Sequence, residues 1–122
     1  MVATMRDVGR GAPPARTVTS LDSWVDLGTT PLIYEPPGSH LTFHLRWANK
    51  IEVHCHDRAT GVLRWVASPQ LTYPRDYDGY YQPYSWSVCA RGDELRFQAV
   101  TRHVKGDDFG PAITGTLSLA GC

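Results

Sequence analysis

The sequence predicts an all-β fold: an antiparallel β-sandwich of about eight strands, jelly-roll or immunoglobulin-like, behind an extended N-terminal arm. Three observations predict it. Apolar and polar residues alternate with a period of two through most of the chain, turn-forming residues interrupt the alternation every eight to twelve positions, and helical periodicity is nearly absent. A chain of 122 residues is one domain with enough apolar surface for a core. Short alternating strands bury that surface best as two packed sheets, each hiding one face.

The elements follow in chain order. Residues 1–17 hold Pro13, Pro14, two glycines and three arginines without a periodic apolar face, and read as the arm. Residues 18–122 form the sandwich domain. Strands are expected at 23–27 and 31–34. The next, at 40–47, reads HLTFHLRW: Leu41, Phe43, Leu45 and Trp47 point one way, and His40, Thr42, His44 and Arg46 the other. In IEVHCH, 51–56, Ile51, Val53 and Cys55 face inward and Glu52, His54 and His56 outward.

The loop between these two strands sets their register. A two-residue turn would pair Trp47 with Glu52 and mix the faces. A three-residue loop, Ala48-Asn49-Lys50, pairs Trp47 with Ile51, Leu45 with Val53 and Phe43 with Cys55, and sets Arg46 against Glu52. His44 then falls opposite His54, with His56 diagonal on the same outer face. A strand at 62–67 continues the meander, with Arg64 expected beside His54 and with Leu63 and Trp65 on the inner face.

Residues 68–83 read as a long connection. A strand at 84–90 follows, with Tyr84, Trp86, Val88 and Ala90 inward, then an Arg91-Gly92-Asp93 turn and a strand at 94–103 carrying Leu95, Phe97 and Ala99. HVKGDDFGP is a loop. The last strand, 112–119, turns Ile113, Gly115, Leu117 and Leu119 to one face.

Charge and cysteine content bound the function. Twelve basic and twelve acidic residues cancel, so no global field draws the chain to nucleic acid or an anionic membrane. No segment has the length of an apolar membrane span or a signal peptide, and the product is expected to be cytosolic when made. Cys55, Cys89 and Cys122 match no CxxC or zinc spacing. Cys55 and Cys89 are either a bridge across the core or small apolar strand residues.

Several groups are candidate sites. His44, His54 and His56 stand about 5 Å apart across a sheet face, which permits transition-metal binding. The preferred reading is a polar face, solvated or covered by a partner, and no cofactor or metal is expected. Arg91-Gly92-Asp93 sits where the strands demand a turn. Asp107-Asp108 lacks the spacing of a calcium loop. His54 and Cys55 are sequence neighbours on a strand, so they point to opposite faces and cannot act together. No nucleophile elbow, metalloprotease helix or phosphate loop is present, and no enzymatic activity is expected. Asp76 and Asp78 have no readable spacing.

The richest candidate is YPRDYDGYYQPYSW, 73–86. Tyrosine and tryptophan give rigid contact area with a polar tip. Such aromatics either bind a partner or fold back to plug the sandwich end; here they are expected to do some of each. Tyr84 and Trp86 are assigned to the core, leaving Tyr73, Tyr77, Tyr80 and Tyr81 as binding residues beside His44, His54 and His56.

RGDELRFQAVTR together with ITGTLSLAG resembles the closing strands of small β-sandwich proteins in tailed-bacteriophage virions, which serve as capsid decoration, head-fibre or minor tail components. The resemblance covers about the last thirty-five residues. It implies a virion structural protein, assembled in the host cytoplasm as a homo-oligomer bound to its own copies and to other virion proteins. The alternative is a carbohydrate-binding module that stacks sugars on Tyr77, Tyr80, Tyr81 or Trp86, with a glycan as its partner.

Overall fold

The computed structural model describes residues 15–120 except 29, 48, 75–79 and 107, and of Tyr81 only the backbone, and the described residues form ten strands in two five-stranded sheets. The strands are β1 (Arg16–Val18), β2 (Val25–Leu27), β3 (Leu32–Tyr34), β4 (Leu41–Trp47), β5 (Ile51–Asp57), β6 (Leu63–Ala67), β7 (Gln70–Thr72), β8 (Tyr81–Arg91), β9 (Glu94–His103) and β10 (Phe109–Ser118). Sheet A runs β1-β3-β4-β5-β6 and sheet B runs β2-β8-β9-β10-β7. All pairings are antiparallel except β1 with β3. The β-sandwich predicted from the alternation is present, with two more strands than the pattern revealed.

The two additions are three-residue strands at opposite edges. β1 lies at the end of the stretch read as the arm, where Thr17 pairs with Ile33. β7 falls inside the stretch read as a loop, and Leu71 pairs with Gly115 of β10. Glycine suits that position: a Cβ there would come within 2.8 Å of Leu71 Cδ2 and 3.4 Å of the Gln70 carbonyl.

The β4–β5 hairpin has the expected register, Trp47 to Ile51, His44 to His54 and Phe43 to Cys55. Between β8 and β9 the tripeptide Arg91-Gly92-Asp93 is a turn, with Arg91 paired to Glu94. Gly92 has φ +62°, and a two-residue hairpin turn needs positive φ at its first position.

The core lies between the sheets. Phe43, Leu45, Ile51, Val53 and Cys55 of sheet A meet Trp86, Val88, Leu95, Phe97, Ala99 and Ile113 of sheet B, with Leu21, Leu27 and Leu32 closing one side. Burying each large apolar side chain contributes about 1.5–3 kcal/mol.

Two sequence expectations are corrected by strand irregularities, and one open alternative is decided. A register shift in β6 makes Arg64 an extra residue, so Val66 stands opposite His54 and Leu63 opposite His56, and Leu63 is exposed instead of core-facing. A second shift lies between Pro83 and Ser85 of β8. Pro83 pairs with Thr101 and Ser85 with Val100, so Tyr84 is the inserted residue and turns outward while Trp86 stays in the core. Third, Cys89 is a buried free thiol and Cys55 is disulfide-bonded elsewhere, so the two do not bridge. Cys89 is one residue out of phase with Val88 and therefore points away from the inter-sheet core that holds Cys55.

Candidate functional site

Three surfaces follow from this framework. The first is the end of sheet B where β8, β9 and β10 are irregular together. β8 bulges at Tyr84, and β10 shifts register between Gly110 and Ile113, both opposite Val100 and Thr101 of β9. Bulges bend a strand and re-aim a side chain. Here they free the Pro111 carbonyl, which accepts the hydroxyl of buried Thr101 at 2.8 Å. They also lift aromatic rings off the sheet: Tyr84 is 54% and Phe109 64% exposed.

These two rings meet edge to face, with centroids 6.3 Å apart. The Arg102 guanidinium sits 5.1 Å from the centre of the Tyr84 ring, and its Nε donates to the Gly106 carbonyl. At the same end of β8 and β9, Tyr80, 59% exposed, stacks on His103 at 6.0 Å. Val104 donates its amide proton to the Tyr80 carbonyl, and Val100 and Val104 are exposed as well. Tyr80 was a predicted site residue. Tyr84 and Phe109 were missed, because alternation assigned the first to the core and a Gly-Asp-rich stretch hid the second. Of the other predicted tyrosines, Tyr73 lies beyond β7 and is exposed. Tyr77 and the Tyr81 side chain, like Asp76 and Asp78, fall outside the described residues.

The second surface is the outer face of sheet A, where His44, His54 and His56 come together as the register predicted. His44 and His56 have ring centroids 4.6 Å apart, and His54 lies nearly parallel to His56 at 6.3 Å. His56 Nδ1–H donates to the Gly61 carbonyl at 3.2 Å, and His54 Nε2 meets Glu52 Oε1 at 3.3 Å. Glu52 also faces Lys50 at 3.9 Å, although Arg46 is its cross-strand neighbour. Partial burial holds the His44 imidazole below its ordinary pKa, helped by the charges of His56 and His54 and opposed by Glu35. Thr42, opposite His56, has its buried hydroxyl unpaired among the described residues. Leu63 and Val66 extend this face as exposed apolar side chains. Among the described residues no group of three or more His, Cys, Asp or Glu side chains is placed to hold a metal ion.

The third is a cleft of about 200 Å³ lined from both sheets, by Trp47 and Ile51 of sheet A and by Leu71, Pro83 and Trp86 of sheet B, together with Asn49, Lys50, Ser68, Pro69 and Tyr73. Trp86 is only 2% exposed, and its Nε1 is buried with no hydrogen-bond partner among the described residues. A buried donor left unpaired costs about 1–3 kcal/mol.

Comparison of the chain with family models, curated proteins and solved structures gives no match.

Proposed function

We propose that the chain is a non-enzymatic virion structural protein, a capsid-decoration or tail component, that works through protein–protein contacts as a homo-oligomer. The contact mode is carried by one observation: the doubly bulged end of sheet B presents Tyr84 and Phe109 to solvent, with Arg102 against the Tyr84 ring. Large exposed aromatics next to an arginine have the composition of interface hot spots. A bulge conserves no packing inside the domain at this position, since it takes Tyr84 out of the core. The virion setting rests on the resemblance of the closing strands, RGDELRFQAVTR and ITGTLSLAG. In this reading the arm lies along a neighbouring subunit, and the His44/His54/His56 face is a second contact.

Light scattering across a concentration series tests it, on the wild type and on Tyr84→Ser/Phe109→Ser. The wild type is expected to form a defined oligomer. The double variant should dissociate to monomer, with far-ultraviolet circular dichroism unchanged because both side chains lie outside the core. A wild type that is monomeric at every concentration, or a double variant that assembles normally, overturns the proposal.

A further inference from the structure

The outer face of sheet B carries a recess that the assembly reading leaves unused. Trp24, just ahead of β2, is 43% exposed and walls one side of a shallow cavity of about 310 Å³. Ladder register sets the floor: Arg96 of β9 pairs with Thr116 of β10, and Gln98 with Thr114. Phe97, between them, turns its side chain into the core. Paired residues stand about 5 Å apart and alternate residues of one strand about 7 Å apart. Four polar side chains therefore mark the corners of a rectangle beside the indole.

All four are within reach of a ligand. Arg96, Thr114 and Thr116 are exposed and Gln98 is half-buried. Arg96 gives its Nε–H to the Glu94 carboxylate at 2.9 Å, which holds the guanidinium in place and leaves its two terminal amino groups pointing onward. The Gln98 amide and the two threonine hydroxyls make no hydrogen bond to another described residue.

Donor and acceptor capacity selects the ligand. An amide and a hydroxyl each give and accept a hydrogen bond. They match groups that do both, which are hydroxyls, better than a phosphate or a carboxylate, which only accepts. The indole adds one apolar plane to a polar floor, whereas the centre of a protein interface is apolar and depleted of charge. A molecule with an apolar C–H face and a hydroxylated edge is a sugar, and an indole offers the matching flat surface. Size sets its length: a cavity of about 150 Å³ takes one benzene ring, so one of about 310 Å³ takes two six-membered rings. We infer that this recess binds two adjoining pyranose units of a glycan. One unit stacks on Trp24, and the next lays its hydroxyls across Gln98, Thr114, Arg96 and Thr116. The site shares no residue with Tyr77, Tyr80, Tyr81 and Trp86, on which the sequence placed a sugar.

Side-chain N–H resonances read the site directly. The chain has four tryptophans, so a nitrogen–proton correlation spectrum should show four indole cross-peaks, with that of Trp24 identified by its loss in Trp24→Phe. The intact protein is titrated with cellobiose, maltose, lactose and N,N′-diacetylchitobiose. With at least one of them the Trp24 indole and Gln98 amide peaks should shift saturably, while the Trp86 peak, from a side chain buried in the core, stays in place. Gln98→Ala and Thr116→Ala should each weaken binding by about fivefold, the worth of one hydrogen bond. Trp24→Ala should abolish it, and if that variant does not fold, the two polar substitutions still decide the matter.

No saturable shift with any of the four disaccharides overturns the inference. So does binding that neither Gln98→Ala nor Thr116→Ala weakens. A Trp24 peak that moves on dilution of the protein but with no sugar also overturns it, and assigns the face to a second copy of the chain. Tyr84→Ser/Phe109→Ser should bind disaccharide as the wild type does, so the recess and the assembly surface succeed or fail separately.

Discussion

His44 shows how a surface residue acquires a pH response from its neighbours. Its imidazole is partly desolvated and stands 4.6 Å from that of His56, and both effects favour the neutral form. With the folded-state pKa below the ordinary 6.5, the unfolded chain binds the proton first as pH falls. The contribution to stability is therefore complete above 6.5 and declines from there down to the lowered folded pKa. Urea unfolding at about pH 7.5 and about pH 5.5 should give a smaller loss for His44→Gln than for the wild type; an equal loss would remove His44 as the origin. Asp57 works in the same sense at lower pH. Its carboxylate accepts the amide protons of Thr60 and Ala59 and the Thr60 hydroxyl, which holds it below its ordinary pKa. The turn it organises ends at Gly61, whose φ of +75° permits the reversal into β6.

At the level of elements, the sequence was legible where a long strand alternated and a loop length decided between two registers. The β4–β5 hairpin is such a place: only a three-residue loop keeps Trp47, Leu45 and Phe43 facing Ile51, Val53 and Cys55, so the imidazole cluster followed from loop length alone. β1 and β7 were invisible because they follow Pro13-Pro14 and Pro69, in stretches that read as arm and connection, and their pairing is decided by Ile33 and Gly115, remote in sequence. The bulges were invisible for a related reason. Tyr84, Trp86 and Val88 alternate without interruption, and nothing local signals that Pro83 takes the inward place instead. The candidate sites divide along the same line, since the histidines came from regular strands while Tyr84, Phe109 and the cleft depend on irregular or short ones. Gly115 gives the element-scale test. Gly115→Ala requires only that the end of the Leu71 side chain move, whereas Gly115→Val brings further bulk against the Gln70 carbonyl. The valine variant should lose about 1–3 kcal/mol, seen as a lower urea midpoint, and alanine clearly less. Equal losses would contradict the packing of β7 on β10.

For the molecule as a whole, the two sheets share one inter-sheet core, and Cys89, on the opposite face of β8, offers a reporter of whether sheet B stays intact. The thiol is buried but outside the main core cluster, so a reagent reaches it only when sheet B loses its covering. Cys89 should stay unmodified by Ellman's reagent in the native state and react in step with global unfolding; rapid modification of the native protein would show that sheet B opens independently. The same connectivity sets an order of construction during synthesis. Most of sheet A is a meander of neighbours in the chain, β3 through β6, and can pair as soon as those residues emerge. The β8–β9–β10 ladder comes later, and Leu71 waits for Gly115, 44 residues further along the chain. The outer histidine face of sheet A thus depends only on strands close together in the chain, whereas the Leu71 wall of the Trp47–Trp86 cleft docks only once β10 is in place.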